Sequence, residues 1–145
     1  MYFENLFDSS YERIRQQGDA FFEAFYQRFL ASSCLVRQKF YHTDMVAQRR
    51  MLKKSFYSMV VFYATGSADG VLVEIGHSHS ARRYNVIPAL YDFWLESLIA
   101  TIRQFDSQCD DDVELAWRLV LSPGITYLKF KYDHSGVPSE PRRSA

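Results

Sequence analysis

The side chains with the clearest capacity for chemistry are two histidines, His77 and His79, which are separated by one residue. His79 ends an apolar stripe that it shares with Leu72 and Ile75 at helical spacing, whereas His77 points well away from that stripe. A neutral imidazole that faces an apolar pocket can serve as a metal ligand. Taken alone, a histidine on an apolar face is more often a core or surface residue, so the rest of the chain must decide. We select His79 as the candidate, and note that Gly76 on the same stripe would let a flat, bulky group approach the backbone.

Two polar residues stand in apolar stripes elsewhere in the chain. Tyr26 lies in a nearly continuous aromatic stripe, and its hydroxyl needs a hydrogen-bond partner if it is buried. Gln48 interrupts an otherwise apolar stripe that extends from Met45 to Tyr63. In an apolar pocket, a tyrosine hydroxyl and a glutamine amide can both donate hydrogen bonds to a ligand that carries partial negative charge. These two residues are therefore candidate donors.

Length, composition and charge restrict the class of protein. A chain of 145 residues suits one domain, and an aromatic content of 17%, with 12 Phe and 10 Tyr, suggests a large apolar pocket. Seventeen basic residues balance 17 acidic ones, so neither nucleic acid nor a membrane is expected as a partner. Cys34 and Cys109 form no metal-ligand spacing, and free thiols suit a reducing cytoplasm. With no signal region or apolar run long enough for a bilayer, we expect a soluble, cytoplasmic protein.

The elements that must position these residues are predicted to be helices. Helical spacing extends from Tyr2 to about Gln17 and stops at Gly18, after which Asp19 is expected to cap a second helix. The face of that helix consists of Phe22, Phe25, Tyr26, Phe29 and Leu30. No run of alternating apolar and polar residues is long enough to predict a β-sheet.

The middle of the chain predicts a short element and then a long helix. Leu35 to Phe40 is expected to be a turn or short helix that brings Phe40 to the edge of the core. Thr43 or Asp44 can cap the next helix, which carries Gln48 on its apolar stripe. Four basic residues lie mostly off that stripe, and we interpret them as a solvated face: Arg49, Arg50, Lys53 and Lys54.

Turn residues and charges divide the second half of the chain. Gly66 to Gly70 is predicted to be a loop before the His79 helix, and Pro88 can begin the next helix. Three consecutive aspartates suit the start of the last helix, which Pro123 and Gly124 are expected to kink or split before Ile125 to Tyr132. Asp133 to Ala145 is polar and is predicted to be a disordered tail.

The order and spacing of Tyr26, Phe40, Gln48 and His79 resemble those of the globin family. The resemblance is greatest to bacterial single-domain globins and to the haem domain of flavohaemoglobins. The run from Ile75 to His79 resembles the segment that ends in the family's proximal iron ligand. The interval from Phe25-Tyr26 to Phe40 resembles the family's spacing between a distal tyrosine and a phenylalanine against the haem, and Gln48 to Leu52 resembles its distal helix start. The resemblance covers roughly residues 5 to 132. It implies an all-α globin fold, a three-on-three helical sandwich around a haem pocket, as a single domain over residues 1–132, followed by the tail of residues 133–145.

The resemblance also implies a cofactor and roles for particular residues. It implies non-covalent haem b, whose iron His79 would bind, with Tyr26 and Gln48 as donors to the bound gas. Leu52 would limit access to the distal pocket, and Phe40 would pack against the porphyrin plane. The family's tyrosine beside the proximal histidine falls on Tyr91.

Two further features concern the surroundings of that haem. The glutamate that flavohaemoglobins place near the proximal histidine has no match, because Phe130 to Tyr132 occupies the region, which weakens an oxygen-activating interpretation. Arg82 and Arg83 follow the ligand helix and could pair with haem propionates. No flavin or nicotinamide domain follows the last predicted helix, so turnover is expected to need an external reductase.

Three functions follow from the sequence. The first is reversible binding of O₂ or another diatomic gas such as NO or CO, for storage, delivery or sensing. The second is a haem enzyme, an NO dioxygenase or a peroxidase-like protein that depends on an external reductase. The third is a haem-free globin-fold interaction module. Such a module would be expected to lack the ligand histidine, whereas this chain has His79. His77 and His42 remain alternative ligands, and the sequence leaves open whether the protein is a monomer or a homodimer.

Overall fold

Seven helices account for nearly all of residues 1–134, the part of the chain that this computed structural model describes. They are α1 (Tyr2–Arg15), α2 (Asp19–Ser32), α3 (Cys34–Lys39), α4 (Met45–Thr65), α5 (Gly70–Ser78), α6 (Ala89–Phe105) and α7 (Asp111–His134). Over these residues the chain contains no strand, and the predicted all-α class is confirmed.

Aspartate side chains cap the N-termini of α4 and of α5, the helix that precedes His79. The Asp44 carboxylate accepts a hydrogen bond from the backbone N–H of Val46 at 3.0 Å and begins α4. The Asp69 carboxylate accepts from the backbone N–H of Leu72 at 2.9 Å and begins α5. Each cap satisfies a backbone donor that has no partner within its own helix. Asp44 is one of the two caps that the sequence offered.

The predicted cap of α2 is wrong. Gly18, with a φ of 65°, precedes the helix, and Asp19 is its first residue and makes no capping hydrogen bond. The Asp19 carboxylate instead pairs with Lys53 Nζ of α4 at 3.2 Å. A glycine in this left-handed backbone conformation turns the chain sharply between α1 and α2, so the helix starts without a side-chain cap.

Pro123 and Gly124 were predicted to kink or split the last helix; the helix is continuous, so the split is wrong. Proline lacks the N–H that would bond to the carbonyl one turn earlier, but α7 buries side chains on both sides of it, among them Val120 and Ile125. Because α7 extends to His134, it includes the first two residues of the predicted tail. The rest of that tail, residues 135–145, lies outside the described residues.

The helices form two layers of three, as the three-on-three prediction requires. One layer contains α1, α4 and α5, each of which packs on α7, and the other contains α2, α6 and α7. The short helix α3 packs against α2. α4 and α5 meet at 114° across the loop between them. The core is strongly aromatic, and Phe56 and Trp117 lie at its centre, fully buried.

No single helix among the described residues has both the length and the apolar content needed to cross a membrane. The pair α4 and α5 reaches that length and composition only when the two are counted together across their sharp bend.

Candidate functional site

An apolar cavity of about 750 Å³ opens between the two layers. Its volume lies within the range of pockets that hold small molecules or cofactors. The helices from α2 to α7 all contribute to its wall. Six residues that the sequence predicted for the site line this one cavity: Tyr26, Phe40, Gln48, Leu52, His79 and Tyr91.

His79 is held at the C-terminal end of α5, one residue past the helix, by backbone hydrogen bonds on both sides. Its N–H donates to the carbonyl of Ile75 at 2.9 Å, and its own carbonyl accepts from the N–H of Val86 at 3.0 Å. Such a doubly bonded backbone gives the imidazole a fixed starting point. His77, one of the alternative ligands, is not part of the cavity wall, and neither is His42.

The imidazole of His79 is neutral and has one polar neighbour, Tyr91. Burial lowers the pKa of His79 to about 4, so the ring carries no proton charge near neutral pH. Its Nδ1 atom lies 3.1 Å from the Tyr91 hydroxyl oxygen. If Nδ1–H donates to that oxygen, Nε2 keeps its lone pair. Burial raises the pKa of Tyr91 as well, which keeps its phenol uncharged. The pair can therefore present a neutral nitrogen ligand to the cavity.

Gly76 does admit a flat group close to the backbone, but that group belongs to the protein. A Cβ at this position would lie 3.2 Å from Cε1 of the Tyr127 ring on α7. Gly76 does not line the cavity. Its missing side chain lets α5 pack against α7, rather than making room for a cofactor as the sequence pattern suggested.

Tyr26 places a buried hydroxyl in the cavity. Its side chain is 4% exposed, and its hydroxyl donates a long hydrogen bond of 3.4 Å to the backbone carbonyl of Gln48. Burial raises the pKa of Tyr26 to about 12, although the contact with Gln48 and the charge of Arg49 act in the opposite direction. The phenol therefore keeps its proton at neutral pH and remains a donor.

Two apolar residues complete the part of the wall around Tyr26. Phe40, directly after α3, packs edge to face on the rings of Tyr26 and Phe29, with ring centroids 5.9 and 5.8 Å away. Leu52 lies one turn after Gln48 on α4 and is buried. These two side chains supply apolar surface beside the hydroxyl of Tyr26.

The mouth of the cavity carries two lysines: Lys39, which sequence analysis did not single out, and Lys54, which it interpreted as part of a solvated face. Lys39 and Lys54 both belong to the wall, and the Lys39 ammonium donates to the backbone carbonyl of Tyr84 at 2.8 Å. The only signal for them in the sequence is their position, one residue before Phe40 and two residues after Leu52. Arg82 and Arg83, the predicted partners of haem propionates, are exposed and are not part of the wall.

The donor set tests whether a metal could bind without a larger cofactor. Within residues 1–134 no group of three or more His, Cys, Asp or Glu side chains is close enough to hold a metal ion. His79 is the one histidine of the cavity wall, and Glu74 is its one carboxylate. An ion bound by His79 would therefore take most of its ligands from a cofactor, as the iron of a tetrapyrrole does.

No family model and no curated protein matches this sequence. Among solved structures, the chain is similar to the crystal structure of protein PA3967 from Pseudomonas aeruginosa PAO1, which is described as structurally highly homologous to a human hemoglobin. The two share 38% sequence identity with a TM-score of 0.81, over 89% of this chain and 97% of the other. This identity across nearly both full lengths, together with the two helical layers, shows that the chain belongs to the globin family.

Proposed function

We propose that this protein is a haem-binding globin that binds O₂ or another diatomic gas reversibly. One observation carries the proposal: a neutral histidine, His79, faces an apolar cavity that also contains the protonated hydroxyl of Tyr26. Reversible gas binding at iron needs one nitrogen ligand and a dry pocket with a hydrogen-bond donor. The cavity offers such a nitrogen in His79 and such a donor in Tyr26.

The residues present fit haem b. His79 would hold the iron through Nε2, and Phe40 and Leu52 supply apolar surface for the ring. Neither Cys34 nor Cys109 lines the cavity, so the cofactor would be held without covalent attachment. When bound through one imidazole, haem iron supplies a sixth coordination position for a diatomic gas.

Tyr26 is the residue that would stabilise the gas. Its present bond to the Gln48 carbonyl is 3.4 Å long, whereas O–H···O hydrogen bonds are commonly about 2.7–2.8 Å. Breaking this long hydrogen bond so that the hydroxyl can turn toward a gas ligand would therefore cost little free energy. The amide of Gln48, which also lines the cavity, supplies a second donor.

Tyr91 favours reversible binding over oxygen activation. A carboxylate on Nδ1 would increase the basicity of a ligating imidazole, but the partner of His79 here is a neutral phenol. Among the described residues, no carboxylate hydrogen-bonds to either of these two side chains. We therefore place gas storage, delivery or sensing ahead of NO dioxygenase or peroxidase-like turnover.

The test is the rate of O₂ release from the haem-loaded protein, measured by stopped flow. Removing one hydrogen bond costs about 0.5–1.5 kcal/mol, so Tyr26→Phe should speed O₂ release by about 2- to 10-fold and change CO release less. Tyr57→Phe, on the exposed face of α4, is the matched control and should leave both rates unchanged. An O₂ release rate that is the same in Tyr26→Phe and the wild type would contradict this role.

A further inference from the structure

We propose that Trp117 is a redox-active residue that gives an electron to an oxidised haem in the cavity and gives its indole proton, through Ser10, to Asp106. The inference rests on the proposed function, since it needs haem in the cavity. It adds a further activity to that site: the protein core would supply the electrons that hydrogen peroxide takes from a gas-binding haem.

A chain of aromatic rings joins the cavity to Trp117. Trp94 lines the cavity wall, and its ring centroid lies 6.1 Å from that of Phe56. The Phe56 centroid lies 6.2 Å from that of Trp117, and both of these residues are fully buried. Trp117 itself belongs to α7 and is not part of the wall. Because electrons tunnel between neighbouring rings, this chain connects an oxidant in the cavity to an indole in the core.

The indole nitrogen of Trp117 has a route for its proton. Its Nε1–H donates to Ser10 Oγ at 2.9 Å, and the Ser10 hydroxyl donates to Asp106 Oδ2 at 2.6 Å. Although burial raises the pKa of Asp106, the hydrogen bonds from Arg13 and Ser10 hold it below its ordinary value, so the carboxylate is charged. An oxidised indole is a far stronger acid than a neutral one. Its proton can therefore pass to Ser10 while Ser10 passes its own proton to Asp106.

The ion pair between Arg13 and Asp106 decides where the positive charge goes. Loss of an electron from Trp117 leaves one extra positive charge in the core, where an unsolvated charge is costly. Once Asp106 has taken the proton, Trp117 is neutral and the charge without a partner is that of Arg13. The Arg13 side chain is 24% exposed, so water reaches this charge. The network therefore favours a neutral indolyl radical over a radical cation.

The oxidisable side chains of the cavity wall lack such an acceptor. Tyr26 donates to a backbone carbonyl, which does not take up a proton. The Tyr91 hydroxyl lies against Nδ1 of His79, which carries a proton when Nε2 binds a metal. Within residues 1–134 the Trp94 indole, unlike that of Trp117, donates no hydrogen bond. Because an oxidised side chain that keeps its proton readily takes its electron back, the oxidising equivalent should settle at Trp117.

Tyr11 provides the route by which electrons return. Its ring, partly exposed on α1, lies 6.2 Å from that of Trp117. A one-electron reductant such as ascorbate supplies the electron there, and Asp106 returns the proton to Trp117 through Ser10. Hydrogen peroxide takes up two electrons and two protons as its O–O bond breaks and two water molecules form. Two cycles of Trp117 supply those electrons, the solvent supplies the protons, and two ascorbate molecules each lose one electron.

The first part of the test is electron paramagnetic resonance of the ferric, haem-loaded protein, frozen within seconds of mixing with hydrogen peroxide. We expect a radical whose spectrum narrows when the protein carries ring-deuterated tryptophan. The narrowing should persist in Trp94→Phe, where Trp117 is the one tryptophan left and an aromatic ring remains at the wall. After exchange into D₂O, electron–nuclear double resonance should find no deuteron on the indole nitrogen. This labelling avoids replacing Trp117, which is fully buried.

Ser10→Ala tests the proton route, since it keeps every ring and removes only the hydroxyl between the indole and the carboxylate. It should lower the yield of the tryptophan radical about 10-fold, because it removes a hydrogen bond that ends at a charged group. The radical that remains should keep its exchangeable N–H. Ser97→Ala is the matched control: Ser97 is also buried, and among the described residues its hydroxyl contacts no indole. This variant should leave the yield unchanged.

A haem-free measurement tests the proton route separately from haem binding. Photochemically generated tris(bipyridine)ruthenium(III) removes one electron from haem-free Trp94→Phe, and transient absorption distinguishes a neutral tryptophan radical from its cation. We expect the neutral radical, and the cation once Ser10→Ala is added.

The outcomes separate this role of Trp117 from the proposed function. A normal haem spectrum with CO binding, together with equal radical yields in Ser10→Ala and Ser97→Ala, would overturn the role and leave gas binding intact. A radical on tyrosine alone, or an indole radical that keeps its N–H in the wild type, would overturn it as well. A protein that takes up no haem would overturn both proposals, even if the haem-free measurement shows the neutral radical.

Discussion

Among single residues, His79 is the proposed iron ligand, and burial keeps its imidazole neutral. A charged imidazole has no lone pair for a metal, and an exposed one would be half protonated near its ordinary pKa of 6.5. Burial lowers the pKa of His79 to about 4, and Tyr91 occupies Nδ1 at 3.1 Å. Because the buried imidazole resists protonation, His79 lowers the free energy of unfolding in mild acid.

This cost predicts a pH dependence of the stability of the haem-free protein. As pH falls below 6.5, the unfolded chain protonates this imidazole, whereas the folded chain resists until about pH 4, so stability falls through that window. The loss attributable to His79 should reach about 2 kcal/mol at about pH 5 relative to pH 7. Urea unfolding at the two pH values measures it.

Two glutamine variants isolate the contribution of His79. His79→Gln should remove most of the loss between pH 7 and pH 5, whereas His77→Gln, outside the cavity wall, should retain it. Equal losses in the wild type and in His79→Gln would show that the buried imidazole does not control stability in this range.

The sequence predicted the buried side of the site better than its mouth. His79, Tyr26 and Gln48 interrupt or end apolar stripes, and periodicity predicts which face of a helix turns inward. Lys39 lies at the end of a six-residue helix with no stripe of its own, so nothing local to it predicts a place in the wall. Its position depends on the tertiary contact with Tyr84, which is 45 residues away along the chain.

At the scale of the element, the close approach of α4 and α7 depends on Gly124. A Cβ added there would lie 2.9 Å from both Cε and Cγ of Met59. Overpacking of this kind costs about 1–3 kcal/mol, which exceeds the gain of roughly 1 kcal/mol in helix propensity from glycine to alanine. We therefore expect Gly124→Ala to lower the free energy of unfolding, measured by urea titration.

Gly70 provides the control for this substitution. It is the first residue of α5, and a Cβ there would meet no atom within 4 Å. Gly70→Ala should leave stability unchanged or slightly higher. If Gly124→Ala were as stable as Gly70→Ala, Met59 would have to move freely and the contact between α4 and α7 would not be close-packed.

The helix boundaries show where local rules hold and where packing overrides them. Asp44 caps α4 as its position predicted, because the capping rule concerns only neighbouring backbone groups. Pro123 should interrupt α7 by the same local reasoning. The helix continues because its apolar residues before and after the proline are buried against other helices, and this packing is not visible in a short window of sequence.

At the scale of the whole molecule, a buried carboxylate joins distant parts of the chain. The side chain of Asp106, just after α6, is fully buried and accepts hydrogen bonds from Arg13 Nε and Ser10 Oγ, both at 2.6 Å. Ser10 in turn accepts from the Trp117 indole at 2.9 Å. Burial alone would raise the pKa of Asp106, but the bonds from Arg13 and Ser10 hold it below its ordinary value.

Loss of this carboxylate should therefore destabilise the fold without touching the cavity. Asp106→Asn leaves the Arg13 charge without its partner, and we expect it to cost about 3 kcal/mol in urea unfolding. Asp92→Asn removes an exposed ion pair with Lys129 and should cost less than about 1 kcal/mol. A small effect in both variants would show that the Asp106 network does not hold α1 against the rest of the molecule.

The assignment of His79 as an iron ligand is tested most directly by the absorbance spectrum of the protein supplied with haem, reduced and then exposed to CO. The wild type should show a haem spectrum that shifts on CO binding. His79→Ala should lose or alter it, and added imidazole should restore it by occupying the space of the missing ring. No haem uptake by the wild type, or an unchanged spectrum in His79→Ala, would contradict the assignment of His79 as the iron ligand of a gas-binding globin.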